Sequence, residues 1–337
     1  MMIYIKWSAI FLLVLFTGLV RADQGPLQLK NRFPLHLLFL TPKPLPSRTP
    51  ASGILETSLA LDYSPIYFSH NNQDWGFLVD LEMTTADFSF RYGLTPRLAL
   101  KADFPFVSLN AGFLDRFLEG YHDTLGVANY GREERPDNAF AYRVTHQGRT
   151  WIDASSGTFE LADLTLSAQW RAWGGNNPQS WAGSLVLSLK VPSGDADHGM
   201  GSGQFDYGLF ATADRRMGPF SFYLMTGYAL NHDPDTLGAR IQARPSYAWF
   251  GGVGYQYSDR TTWLVQVNGY TSPIEETGLS EVDEAAVELG LGFQYLLDGD
   301  WQVEFAFGED LTRAAPDFTV RIDLAWKYRI GKTRQRE

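Results

Sequence analysis

The chain of 337 residues contains no cysteine, only six histidines and, after its first segment, no apolar run long enough to cross a bilayer as a helix. Without thiols there are no disulfides, the usual staples of exported proteins, so stability has to come from a large regular structure. A spanning helix needs roughly 20 consecutive apolar residues. Any passage through a membrane therefore has to be made with strands. A basic excess is missing too, since the net charge is −10 and the pI about 5.1. That excludes nucleic acid as a partner, because its recognition needs a basic footprint.

What is present begins with "MMIYIKWSAIFLLVLFTGLVRADQ". Lys6, an apolar run over 10–16 and the small-residue stop Val20-Arg21-Ala22 mark residues 1–22 as a secretory signal peptide. From Ile54 onward one theme repeats. In "FTVRIDLAWKYRI", Phe318, Val320, Ile322, Leu324, Trp326, Tyr328 and Ile330 share one face of an extended chain, while Thr319, Arg321, Asp323, Lys327 and Arg329 share the other. Segments of this kind lie at 54–68, 76–92, 97–109, 158–173, 180–192, 203–216, 219–231, 245–258, 261–272, 283–297, 300–309 and 318–330, which predicts about 12 strands.

The connections alternate in length. Short ones fall at 93–96, 174–179, 217–218, 258–259 and 298–299, and long ones at 69–75, 110–157, 193–202, 232–244, 273–282 and 310–317. Tight turns on one rim and long loops on the other is how outer-membrane barrels are built, whereas a soluble sandwich has no reason to sort its loops. Tyr92, Trp170, Trp181, Phe220, Tyr257, Trp263, Tyr295, Trp301 and Trp326 lie near the short turns on the apolar parity, as an interfacial girdle requires. The expected fold is all-β: an antiparallel transmembrane β-barrel of about 12 strands over 54–330, in the bacterial outer membrane. Its apolar face meets outer-membrane lipid, and the barrel assembly machinery is its partner in folding.

The opposite parity carries charge at mid-strand. Glu56, Asp62, Asp80, Glu82, Asp87, Arg91, Lys101, Asp103, Arg171, Lys190, Asp206, Asp214, Glu288, Glu304, Arg321, Asp323, Lys327 and Arg329 are expected to face a polar lumen, with mixed signs pairing across strands. In the second strand the apolar parity slips between Met83 and Ala86, which predicts a β-bulge at Thr84-Thr85.

Three segments are not wall. Residues 23–53 are dense in proline and cannot form regular structure throughout. Either they fold into the barrel mouth as a plug or they rest on its rim as a leader. In the long loop over 110–157, Phe113, Leu114, Phe117, Leu118, Tyr121 and Leu125 recur at helical spacing, with Asp115, Arg116, Glu119 and Asp123 between them. This predicts a short amphipathic helix folding over or into the pore. Further on, "YRVTHQGRTWIDAS" reads as a hairpin about Gln147-Gly148, standing above the membrane, and 331–337 is a polar tail.

Four stretches carry a family resemblance: "NRFPLHLLFLTP", "GLTPRLALKADFPF", "FLDRFLEGYHDTLGVANYGRE" and "LSLKVPSGD". The chain resembles an uncharacterised family of Gram-negative outer-membrane proteins, catalogued as a domain of unknown function. "LSLKVPSGD" is also similar to barrels associated with phenol and aromatic-compound degradation operons. The resemblance implies fold and location but no activity or catalytic residue. The chain departs from barrels that end on an aromatic, because "GKTRQRE" follows its last strand.

Chemistry is sparse. His36, His70, His122, His146, His198 and His232 all fall in the leader or in loops, so an enzyme built on a Ser-His pair in the wall is not expected, although His122 with Asp123 and Glu119 could converge on another loop. Asp195, Asp197 and His198 lie in a glycine-rich loop that lacks the later carboxylates of a calcium site. Neither a metal nor another cofactor is expected. Two function classes remain: a channel or transporter for small solutes with a charged lumen, and a closed barrel with a structural, adhesion or envelope-interaction role through its extracellular loops.

Overall fold

The computed structural model describes residues 25–125, 131–157, 159–175, 177–235, 241–298 and 300–330; the expected signal peptide and polar tail lie outside them. Chain order is α1 (Pro34–Leu37), β1 (Ile54–Asn71), β2 (Trp75–Thr95), β3 (Leu98–Asn110), α2 (Asp115–Leu125), β4 (Ala141–His146), β5 (Arg149–Asp153), β6 (Phe159–Leu161), β7 (Leu164–Trp173) and β8 (Ala182–Val191). It continues with β9 (Asp206–Met217), β10 (Phe220–Leu230), β11 (Ser246–Gln256), β12 (Thr261–Tyr270), α3 (Ser280–Asp283), β13 (Ala286–Leu296), β14 (Trp301–Asp310) and β15 (Phe318–Arg329).

Antiparallel pairing runs from β1 through β2, β3 and β7 to β15 in sequence order. β15 returns to β1 with Ile54 opposite Arg329 and Tyr63 opposite Val320. The 12 wall strands thus close on themselves into a barrel. Its outer face is apolar, with Leu187, Leu209, Leu224, Trp170, Trp263 and Ile322 among the exposed side chains. Lipid, and not water, covers such a belt favourably.

Two expectations about β2 are corrected. Its register with β3 runs unbroken through Met83–Leu109, Thr84–Ser108, Thr85–Val107 and Ala86–Phe106, so there is no bulge at Thr84-Thr85; the irregularity lies between Gly93 and Thr95, at the turn. The polarity, not the backbone, changes along the strand. Toward the long-loop rim the inward parity of β2 is apolar (Trp75, Phe77, Val79, Leu81, Met83), packed with Phe33, Leu35, Leu38 and Phe39. The hairpin is also part of the wall. β3 reaches only as far as Glu82, which leaves an open edge on β2, and β4 pairs with that edge from Trp75 to Asp80.

Residues 25–50 run inside the barrel. Gly25 lies near the short-turn rim, where its carbonyl accepts from Gln294; α1 sits high in the lumen; Ser47 is back beside Asp214, close to the β9–β10 turn. Leu27, Leu29, Leu40 and Leu45 pack on an inner surface formed by Val186, Phe210, Met225, Phe250, Leu264 and Ala306. Glycine makes room for them: a Cβ on Gly290 would lie 3.0 Å from Leu29, and one on Gly208 2.8 Å from Leu40. At the long-loop mouth the α1 residues join Met200, Ile241, Ile274, Leu279 and Val282 in a continuous apolar seal.

Candidate functional site

The lumen wall is mixed: β8 to β14 set charges among the apolar surface just described, and β15, β1, β2, β3 and β7 carry charge as well. Asp62, Asp87, Arg91, Lys101, Asp103, Arg171, Lys190, Asp206, Asp214, Glu288, Glu304, Arg321 and Asp323 all lie on inward parity and are mostly buried. Glu56 and Lys327 pair at 3.2 Å nearer the short-turn rim, and Arg329 is exposed beyond them.

The charges interlock across neighbouring strands, which offsets the cost of burying each one. Arg321 lies 2.9 Å from Asp62 and 2.7 Å from Asp323, with Glu304 at 3.6 Å. Lys101 meets Asp103 at 2.5 Å, and Arg91 meets Glu56 at 3.1 Å. Lys190 lies 2.6 Å from Asp163 and 3.3 Å from Asp206. Sequence reading missed Asp163, because it sits in the break between β6 and β7, where alternation is lost; its carboxylate also accepts from the backbone of Ser193 and Gly194.

Into this network the N-terminal segment inserts its own cations. The Arg32 guanidinium, 1 % exposed, pairs with Asp62 and lies 2.5 Å from Asp87. Lys43 Nζ is 3.1 Å from Asp87 and 3.0 Å from Asp103, and Arg48 pairs with Asp214. Burial pulls Lys43 down, but Asp103 and Asp87 outweigh it, so its ammonium is held above its ordinary value. Lys30, by contrast, is lowered to about 7, first by burial and then by Arg32. Burial lowers His36 to about 4.

Uncharged wall residues bind the segment's backbone, and sequence gave no signal for them. Gln169 donates to the Pro46 carbonyl at 2.7 Å, Gln266 to Leu27 at 3.2 Å and Ser184 to Ser47 at 2.5 Å. In return, the Gln28 N–H donates to Glu304 and the Leu40 N–H to Asp206. Two cavities remain beside the segment. One of about 130 Å³ is lined by Gln28, Glu56, Arg91, Lys101, Glu304 and Asp323; one of about 30 Å³, also touching Lys101, is lined by Lys30, Lys43, Asp87 and Asp163.

Asp80 and Glu82 are not lumen residues, which corrects the expectation for both. With no bulge they keep the parity of Phe88 and Phe90, on the outer side of β2. There the long loop covers them: Glu82 accepts the N–H groups of Phe113 and Leu114 at 2.8 and 2.6 Å, and Asp80 pairs with Arg135 at 2.5 Å. The helix α2, which contains Phe117, Leu118, Tyr121 and His122, therefore starts against the outer wall and not over the pore. Phe113 and Phe117 stay exposed beside Tyr63, Phe307, Phe318 and Val320, around an apolar cleft of about 500 Å³. Leu118 is buried. Among the described residues, no group of three His, Cys, Asp or Glu could hold a metal ion.

A closed barrel with a lipid-compatible outer face and a charged, occupied interior defines a transmembrane barrel of the outer-membrane class. The chain belongs to the family described as "Protein of unknown function (DUF3187)", whose model matches residues 3–328. A search of curated proteins found no match. Among solved structures, the COG4313 outer membrane channel from Pseudomonas putida F1 is similar over 84% of this chain and 98% of its own, at 16% identity and a TM-score of 0.56. That likeness shows the fold. The NanC porin (10% identity, 81% and 100% coverage, TM-score 0.45) and the CymD monoaromatic hydrocarbon channel (10%, 84% and 90%, TM-score 0.42) are more distant, and no argument rests on them.

Proposed function

We propose that the protein is a channel of the bacterial outer membrane for small solutes, and that residues 25–50 are a plug that closes it. The observation that carries this reading is the nature of the plug's attachment. Its main bonds are ion pairs and hydrogen bonds to wall side chains of β1, β2, β3, β7, β8, β9, β12, β13 and β14, and it is not a strand of the wall. Removing it breaks no strand-to-strand hydrogen bond and uncovers, beside the apolar surface of Val186, Phe210 and Leu264, charged side chains that hold water, the ordinary requirement for conduction. A barrel meant only as a scaffold needs no such exchangeable filling.

The test is single-channel conductance in a planar bilayer, on the full-length protein and on a version lacking residues 25–50. Steps from the shortened chain alone make the segment a plug; steps from both mean that solutes pass beside it. Silence from both, with the barrel folded, favours the closed barrel that works through its extracellular loops.

A further inference from the structure

What a channel would bind can be read from what already fills it. Residues 25–53 carry Lys30, Arg32, Lys43 and Arg48 and not one aspartate or glutamate. Two of these cations meet at a single atom: Asp87 Oδ2 lies 2.5 Å from Arg32 Nη2 and 3.1 Å from Lys43 Nζ. The acids flanking it are on adjacent strands. Asp62 on β1 is opposite Thr85, two residues from Asp87, and Asp87 on β2 is opposite Pro105, two residues from Asp103. Wall cations hold the outer members of this row, Arg321 on Asp62 and Lys101 on Asp103. Asp87, in the middle, has ion pairs only with the two plug cations among the described residues.

A second observation lies on β13, three strands from β1. Asp87 Oδ1 is buried with no protein donor, and Glu288 on β13, 5 % exposed, has a buried Oε2 with none either. The pocket therefore offers more acceptor capacity than the plug uses. A row of buried aspartates repels anions and is repaid less for its dehydration by a neutral donor, whereas a guanidinium or ammonium forms the stronger charge-assisted hydrogen bonds with it.

Resting on the channel reading above, we infer that the row Asp62–Asp87–Asp103 is the recognition site for a solute bearing guanidinium or primary ammonium groups, and that Arg32 and Lys43 are its built-in stand-ins. A solute with both charges, or two of either, reproduces what the plug presents.

The experiment uses the full-length Arg32→Gln/Lys43→Gln protein in a planar bilayer, with arginine methyl ester and spermidine as probes and glutamate as the anionic control. The expected result is a conducting, cation-selective pore blocked by the two cations and not by glutamate. Adding Asp87→Asn should weaken that block about tenfold or more. A pore blocked alike by all three, or by none, overturns the inference and leaves the channel reading standing; a folded variant that stays silent while the version lacking residues 25–50 conducts overturns the inference alone, and silence from both overturns both. Because the double variant leaves acids unpaired and can fail to fold, the wild-type protein supplies a second measurement. At fixed ionic strength, spermidine should speed amide exchange over residues 27–40 and glutamate should not; equal effects refute the proposal.

Discussion

Replacing Arg32 by Met isolates the contact on which plug docking depends. The thioether keeps the length of the side chain and removes the charge, so the loss is electrostatic. Removing one partner of a buried pair costs about 3–5 kcal/mol, because the other charge is left uncompensated. Here the lower end applies: Asp62 retains Arg321 at 2.9 Å and Asp87 retains Lys43 at 3.1 Å. A loss of about 3 kcal/mol multiplies the undocked population by roughly 100. The wall keeps its own hydrogen bonds, so the change is local, and amide hydrogen exchange reads it directly. Residues 27–40 should exchange about 100-fold faster in Arg32→Met while β10 to β12 stay unchanged. Adding Asp87→Asn should recover part of the loss, because it removes a charge that Arg32 no longer balances. Exchange within about twofold of wild type would refute the idea that ion pairing at this site holds the plug.

Other outcomes follow from the same geometry. His36, held near 4 by burial against an ordinary value of 6.5, favours the docked state only when neutral. Docking should weaken as pH falls below 6.5, with the full cost of about 3 kcal/mol reached below pH 4, and His36→Gln should flatten that profile in an exchange-versus-pH series. Lys30, lowered to about 7, acts in the same direction over the alkaline range, so docking should strengthen between pH 7 and 10.5 and cease to do so in Lys30→Met. Glu82→Ala removes the acceptor of two backbone N–H groups at the start of α2 and should destabilise that anchor by about 2 kcal/mol, seen as faster proteolysis within 113–125 and unchanged barrel stability. Ser47 and Ser184 touch inside the lumen, and the chain has no thiol of its own. A Ser47→Cys/Ser184→Cys protein bridged by a short bifunctional thiol reagent should show no channel steps, even with spermidine added.

The wall was legible because lipid on one side and charge on the other impose a period of two that little else produces. The period holds from β7 to β15, where the mid-strand outward parity stays apolar. It failed in the upper half of β2, where Trp75, Phe77, Val79, Leu81 and Met83 face inward against Phe33 and Leu38, while Asp80 and Glu82 face outward under a covering loop. A local pattern cannot show that both faces have acquired partners from distant segments, so the inverted polarity reads as a bulge. The binding side chains divide in the same way. Asp62, Asp87 and Arg321 stood out as mid-strand charges, whereas Gln169, Ser184 and Gln266 are ordinary polar residues until the plug's carbonyls are placed beside them. One compositional clue was available: a stretch of four cations with no acid, in a chain of net charge −10.

The path of the plug has a mechanical consequence. It rises from Gly25 to α1 and returns to Ser47, so its two ends leave the barrel at the same rim, the one with the short turns. A loop of chain that enters and leaves on one side can be drawn out from that side. From the opposite rim it presents only the apolar seal around α1, with no loose end to grip. Traction from the short-turn rim would therefore open the barrel, and pressure from the long-loop rim would seat the segment more firmly.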